Sequence, residues 1–76
     1  MGMKKKKIFY DLKLLRKDVM TKRVIDLNIF QEKLAKKCNV SKGIITRIEN
    51  NQAVSIDSLI SVCTALKLDY RNYLIN

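Results

Sequence analysis

The chain has no proline, no histidine and no tryptophan, and only two glycines and two cysteines among its 76 residues. Without histidine, and without clustered carboxylates, it offers no general acid–base pair and no nucleophile beside its base. No glycine-rich phosphate-binding loop is present either. An enzyme is therefore not expected, and no cofactor or metal is called for. Cys38 and Cys63 stand alone in the sequence and form no metal or redox motif, so both are read as buried, reduced thiols. Neither a secretion signal nor a long apolar run is present, which points to a soluble cytoplasmic protein with no membrane partner.

Acidic residues are also scarce. Seven Asp and Glu stand against 16 Lys and Arg, a formal charge of +9. Such an excess on so short a chain favours a polyanionic partner: duplex DNA, RNA or an anionic membrane. Charge alone separates none of these. Hydrophobic residues make up 47% of the chain, enough to expect a single folded domain rather than disorder.

The opening MGMKKKK is a charge run with nothing to bury, so residues 1–7 are expected to form a flexible basic arm, and residues 8–76 the domain. The arm either lies against phosphates or is simply solvated, and Met1-Gly2 before a second Met need not be native. Ile8 to Leu27 contains neither Gly nor Pro and reads as one long helix. Ile8, Leu12, Leu15 and Val19 fall on one side, widened by Phe9, Met20, Val24 and Leu27. Arg16 and Arg23 fall inside that apolar stripe. Each must either carry its head out to water or meet a buried acid, and Glu49 is the acid available. Asn28 either ends this helix in the left-handed conformation or caps the next one, since Asn28 to Gln31 fits an N-x-x-Q capping box.

A second helix is expected from Phe30 or Gln31 to Lys37, with Leu34 and Cys38 inward and the small Ala35 beside them. Asn39 suits a turn with positive φ, and Val40 would pack beneath it. Ser41 is placed to cap a third helix running to Asn50. Ile45 and Ile48 form its buried side, with Ile44 at the margin, while Lys42, Gly43, Thr46, Arg47 and Asn50 stay outside. After a polar turn over Asn51 to Val54, Ser55 caps a fourth helix with Asp57 in its first turn. Ile56, Leu59, Val62, Cys63 and Leu66 form the inner stripe of that helix. Asp69 is placed to cap a last short helix, Tyr70 to Leu74. No strand alternation is present, so the expected class is all-α, with five helices and a long first one.

Several spaced motifs, in order, resemble the phage lambda repressor and Cro family of helix-turn-helix regulators over Met20 to Leu74. Gln31-Glu32-Lys33-Leu34-Ala35 is similar to the family's Q-x-x-L-A opening. Val40-Ser41 followed by Ile45-Thr46-Arg47-Ile48-Glu49-Asn50 is close to its I-S-R-I-E-N. Ser55-Ile56 through Leu59, then Ala65-Leu66 and Leu74, resemble its S-L-x-x-L and A-L tail. The departures are specific: Asn39 replaces the usual turn Gly, Phe30 stands where a Ser or Thr cap is usual, and Asn51 and Lys67 sit where Gly is common. The family's inward Arg lies one place from Arg23, and the first helix is longer than usual.

The resemblance implies a compact lambda-repressor-like DNA-binding domain whose helix-turn-helix unit spans residues 31–50. A helix fits the major groove, where base edges carry a unique donor and acceptor pattern. Within this frame Lys42, Gly43, Thr46 and Arg47 are the expected base-facing residues. Arg47 suits a bidentate contact to guanine, Lys42 can donate to guanine or phosphate, Gly43 permits close backbone approach, and Thr46, or Ile44 at the helix edge, suits a thymine methyl. Gln31, Lys33, Asn51 and Gln52 are the expected phosphate contacts. The Arg23–Glu49 pair would tie the first helix to the end of the reading helix, with Arg16 the alternative partner. A module this small reads few base pairs, so a homodimer on a palindrome is expected, with half-sites about 34 Å apart. Leu68, Tyr70, Tyr73 and Leu74, with Ile75, form the expected two-fold contact, unless they only close the monomer core.

The expected function is a sequence-specific transcriptional regulator of duplex DNA, acting as a repressor. Chain size also fits the controller of a restriction–modification system or the antitoxin of a toxin–antitoxin pair, the latter with a protein partner. A protein-interaction module working through the last helix is a reading from a different class. Recognition of RNA or a membrane by the basic tail ranks below these, because the few aromatics are placed mostly for packing.

Overall fold

The computed structural model describes residues 9–75. The basic arm over residues 1–7 and the place of Ile8 in the first helix lie outside the described residues. The described chain opens on a strand: β1 (Phe9–Tyr10) pairs antiparallel with β2 (Leu74–Ile75), Phe9 opposite Ile75 and Tyr10 opposite Leu74. This corrects the expectation of a helix starting at Ile8 and of a chain without strands. The reason is local. The Asp11 carboxylate accepts the Leu14 N–H at 3.0 Å and so starts the helix only at Leu12. The Asp11 N–H itself donates to the Tyr73 carbonyl at 2.6 Å, which continues the pairing of the two chain ends.

Helix α1 (Leu12–Met20) runs directly into a π-helical stretch, Thr21–Leu27. A π turn holds more residues than an α turn, so the 3.6-residue spacing used to assign faces fails beyond Met20. Val24, expected on the inner face, is 46% exposed for this reason. Asn28 closes the stretch in the left-handed region at φ 52°, and its N–H donates to the Arg23 carbonyl. It therefore ends the first helix and does not cap the second. Helix α2 (Gln31–Cys38) begins instead after Phe30, whose side chain makes no capping bond.

Helix α3 (Lys42–Glu49) follows a three-residue turn, and helix α4 (Ile56–Ala65) follows α3. Ser41 has the extended backbone of an N-cap, but its hydroxyl makes no capping bond, contrary to expectation. Ser55 does cap α4, accepting the Ser58 N–H at 3.2 Å. Asp69 likewise accepts from Arg71 and starts a single 3₁₀ turn, Tyr70–Tyr73. The expected last helix to Leu74 is thus shorter than expected, because Leu74 leaves it to enter β2.

Among the described residues, four other than glycine take positive φ: Asn28, Asn39, Asn51 and Lys67. Each sits just past a helix end, where the left-handed conformation lets the chain turn back on the last carbonyls. Three are asparagine, the residue that tolerates this region best after glycine. With only two glycines in the chain, asparagine takes over most of the helix-ending work.

The core joins the helices. Leu15 and Val19 of α1 meet Leu34, Ala35 and Cys38 of α2, Ile45 and Ile48 of α3, and Leu59, Val62 and Cys63 of α4. Leu66 and Tyr73 close it from the C-terminal side. The fold is mostly helical, and the two short strands tie its ends together. Tyr73 is only 2% exposed, and its hydroxyl donates to Asp18 at 2.6 Å. Its expected place in a two-fold contact is corrected accordingly: the ring fills the monomer core and has no surface to offer a partner.

Candidate nucleic-acid interface

Helices α2 and α3 are held at a fixed angle by a chain of hydrogen bonds centred on Glu49. This residue lies at the last position of α3 and is 7% exposed. Arg23 donates Nε to Glu49 Oε2 at 2.6 Å and Nη2 to Oε1 at 2.8 Å. The third donor group of Arg23, Nη1, reaches the Ile29 carbonyl at 3.1 Å. Arg16 donates Nε to the Glu49 backbone carbonyl at 2.7 Å. The two arginines that compete for one acid in the sequence therefore both reach it, one at the side chain and one at the main chain. The Glu49 contact also raises the Arg23 pKa, with burial opposing it.

Gln31 extends this network across the turn. Its Nε2 donates to Glu49 Oε1 at 2.9 Å, and its Oε1 accepts the Thr46 hydroxyl at 3.2 Å. Both ends of the Gln31 amide thus bond inside the protein, and Nε2 keeps a second N–H for the expected phosphate contact. The Thr46 hydroxyl is likewise committed to Gln31. No buried side-chain nitrogen or oxygen among the described residues is left without a partner. A fully satisfied polar cluster of this kind fixes geometry, since any shift of α3 against α2 breaks a buried bond.

The turn between the helices is equally determined. Asn39 at φ 58° sends its N–H back to the Lys36 carbonyl at 3.1 Å, and Val40 does the same to Ala35 at 3.0 Å. Val40 is half-buried beneath the turn. On α3, Ile45 and Ile48 face the core with 0% and 1% exposure. The outer side of the same helix carries Lys42, Gly43 and Arg47, all exposed. A Cβ added at Gly43 would meet nothing nearer than Ser41 Oγ at 3.7 Å. The fold does not require glycine there. What glycine provides at that position is a bare backbone on the outside of the helix.

Arg47 donates Nε to the Ala53 carbonyl at 3.2 Å, which lays the side chain along the turn after α3. Its two terminal nitrogens make no hydrogen bond among the described residues, so the flat end of the guanidinium remains available for two parallel contacts. Lys33, Asn51 and Gln52 are exposed. The Asn51 and Gln52 N–H groups are spent on Ile48 and Arg47 carbonyls at 3.1 and 2.8 Å, leaving their side chains as the groups free to contact a ligand.

The same turn is held from its other side by Tyr10, a residue that sequence reasoning missed. Its hydroxyl donates to the Val54 carbonyl at 2.6 Å and accepts the Val54 N–H at 2.6 Å. No spacing in the sequence marks this contact, because Tyr10 and Val54 meet only once β1 is placed. Leu68 and Tyr70 are partly buried, whereas Leu74 and Ile75 are 36% and 50% exposed.

No helix among the described residues is long and apolar enough to cross a membrane. Comparison with curated proteins and with solved structures yields no match. A helix-turn-helix family model matches residues 19–71, which is more than half the chain and contains the whole α2–turn–α3 unit. With its basic outer helix, its committed inner face and this match, the chain belongs to the lambda repressor/Cro-like helix-turn-helix family of DNA-binding regulators.

Proposed function

We propose that the chain is a sequence-specific, non-enzymatic transcriptional repressor that binds duplex DNA as a homodimer on a palindromic operator. One observation supports this above the others. The outer side of α3 is exposed and basic, with a bare backbone at Gly43, while its inner side is fixed by the core and by Glu49. A reading helix has to be rigid behind and accessible in front.

In this reading α3 enters the major groove. Lys42 and Arg47 donate to base edges, and Gly43 lets the helix come close. Thr46 contributes through its place beside Gln31, which makes it a positioning residue as much as a contact. Lys33, Asn51 and Gln52 hold the phosphates on either side. Gln31 sets the relation of α2 to α3. The dimer contact falls on Leu74 and Ile75, with Leu68 and Tyr70 at its edge. Exposed apolar residues beside an open strand suit a second copy of the same surface.

The test is selection from random duplexes with the purified chain. A palindromic motif with half-sites about one helical turn apart supports both sequence reading and dimerisation. A non-palindromic motif would remove the dimer and leave the reading. No enrichment at moderate salt would remove both, and would favour a protein-interaction module instead.

A further inference from the structure

We propose that Phe30 is a DNA-contacting residue: its ring packs on the deoxyribose of the strand that crosses the start of α2. This rests on the reading of the chain as a duplex DNA binder and names a contact outside its hydrogen-bonding set. Phe30 is the most exposed large apolar side chain described, at 85%. It also occupies the N-cap position of α2, where it makes no capping bond. The chain therefore breaks two local rules at one position. An aromatic ring is left in water, and the first-turn N–H groups of α2 lose the oxygen that Ser, Thr, Asp or Asn would supply. Nothing among the described residues covers the ring. Local rules broken together without internal compensation mark positions that answer to something outside the fold.

The surroundings identify the occupant. Phe30 lines a cleft of about 430 Å³ with Arg23, Gln31, Glu32 and Lys42. Lys42 is the first residue of the reading helix, so any strand bordering the groove that α3 enters passes this cleft. On its other side Phe30 shares a groove of about 460 Å³ with Val24, Ile29 and Lys33. The ring thus lies between cations, with an apolar floor beside it. A nucleic acid backbone has the same alternation, a charged phosphate followed by a sugar that presents mainly C–H groups. Glu32 is the one acid in the cleft and places the nearest phosphate on the Lys33 and Lys42 sides. A protein partner of apolar and acidic composition would match less of this surface, since it would leave Lys42 without a reason to border the ring.

The contact carries no charge, so its signature is a loss of affinity that does not depend on salt. The experiment measures binding of the full chain to the duplex recovered by random-site selection, at several salt concentrations. Phe30→Ala and Phe30→Ser are each expected to weaken binding about tenfold, in line with losing the burial of much of a phenyl ring. The slope of log affinity against log salt should stay that of the wild type. Lys33→Ala should instead lower that slope by about one. Phe30→Ser restores a capping oxygen, so a weakened helix cannot account for its loss. Phe30→Trp provides a single reporter, as the chain has no tryptophan. Its emission should shift to shorter wavelength when the duplex is added. If wild type binds the duplex and Phe30→Ser matches it, or the Phe30→Trp emission does not move, the inference is overturned and DNA binding stands. If wild type binds no duplex, both fall together.

Discussion

Arg23 holds the Glu49 carboxylate through two parallel bonds, Nε to Oε2 at 2.6 Å and Nη2 to Oε1 at 2.8 Å. The side chains are only 14% and 5% exposed, so this pair is largely removed from water. Losing one partner would leave the other charge buried and unpaired. Glu49→Ala is therefore expected to cost about 3–5 kcal/mol, read as a fall in the denaturant midpoint. Glu32→Ala removes an exposed acid and should stay within about 0.5 kcal/mol of wild type. Equal midpoints for the two variants would show that the pair does not hold α3.

Gly43→Ala separates folding from binding. A Cβ there meets only Ser41 Oγ at 3.7 Å, so the fold accommodates it. Alanine favours the helix by about 0.5 kcal/mol or more over glycine, and the melting temperature should rise. Binding to a selected duplex should weaken if the added methyl stands, as proposed, on the face that approaches DNA. Unchanged affinity in the more stable variant would mean that Gly43 does not face the groove.

Lys67 takes φ 60° after α4, a conformation that costs an ordinary side chain about 1–2 kcal/mol. The residue is exposed, so little packing is lost on its removal. Lys67→Gly should raise stability by roughly 0.5–1 kcal/mol, part of the relief being offset by the greater freedom of glycine in the unfolded chain. Asn51→Gly, at φ 59°, should gain less, since asparagine already tolerates this region. A stability loss in Lys67→Gly would place an unrecognised contact at that side chain.

The helices were legible where one residue both permits and demands a boundary. Ser55, Asp69 and Asn39 each stop or start a helix by a property of their own side chain, and the structure uses all three. The strands were not legible, because two-residue strands such as Phe9–Tyr10 and Leu74–Ile75 are too short to show a period. The π-helical stretch left no mark either, since Thr21–Leu27 contains no residue that forces it. In the site, two arginines within an apolar stripe, each needing water or an acid, pointed to Glu49, while the inward turn of Gln31 was hidden. A polar residue at the start of a helix reads as surface until the neighbours that bond it, Thr46 and Glu49, are in place.

Alkaline pH should lower the stability of the domain through two buried acids, Cys63 and Tyr73. Burial, reinforced by nearby Asp69, pushes the Cys63 thiol from 9.0 up to about 11. Burial and the bond to Asp18 raise the Tyr73 phenol as well. In both cases the folded state keeps a proton that the unfolded chain releases first. Their contribution to stability is complete below the unfolded values and is lost as pH rises through the folded ones. Stability should hold to about pH 9 and then decline, with the phenol adding its share above about pH 10. Tyr73→Phe should show a shallower decline in that upper range; a decline as steep as that of wild type would separate Tyr73 from the effect.

That the outer face of α3 reads bases is tested most directly by binding of Arg47→Ala and Lys33→Ala to every single-base variant of a selected duplex. Arg47→Ala should lose about 1–3 kcal/mol of discrimination at one base position and keep the preferences elsewhere. Lys33→Ala should weaken binding to all the duplexes alike and leave every preference intact. If Arg47→Ala instead weakened every duplex equally, as Lys33→Ala is expected to do, α3 would be resting on the backbone and not reading the groove.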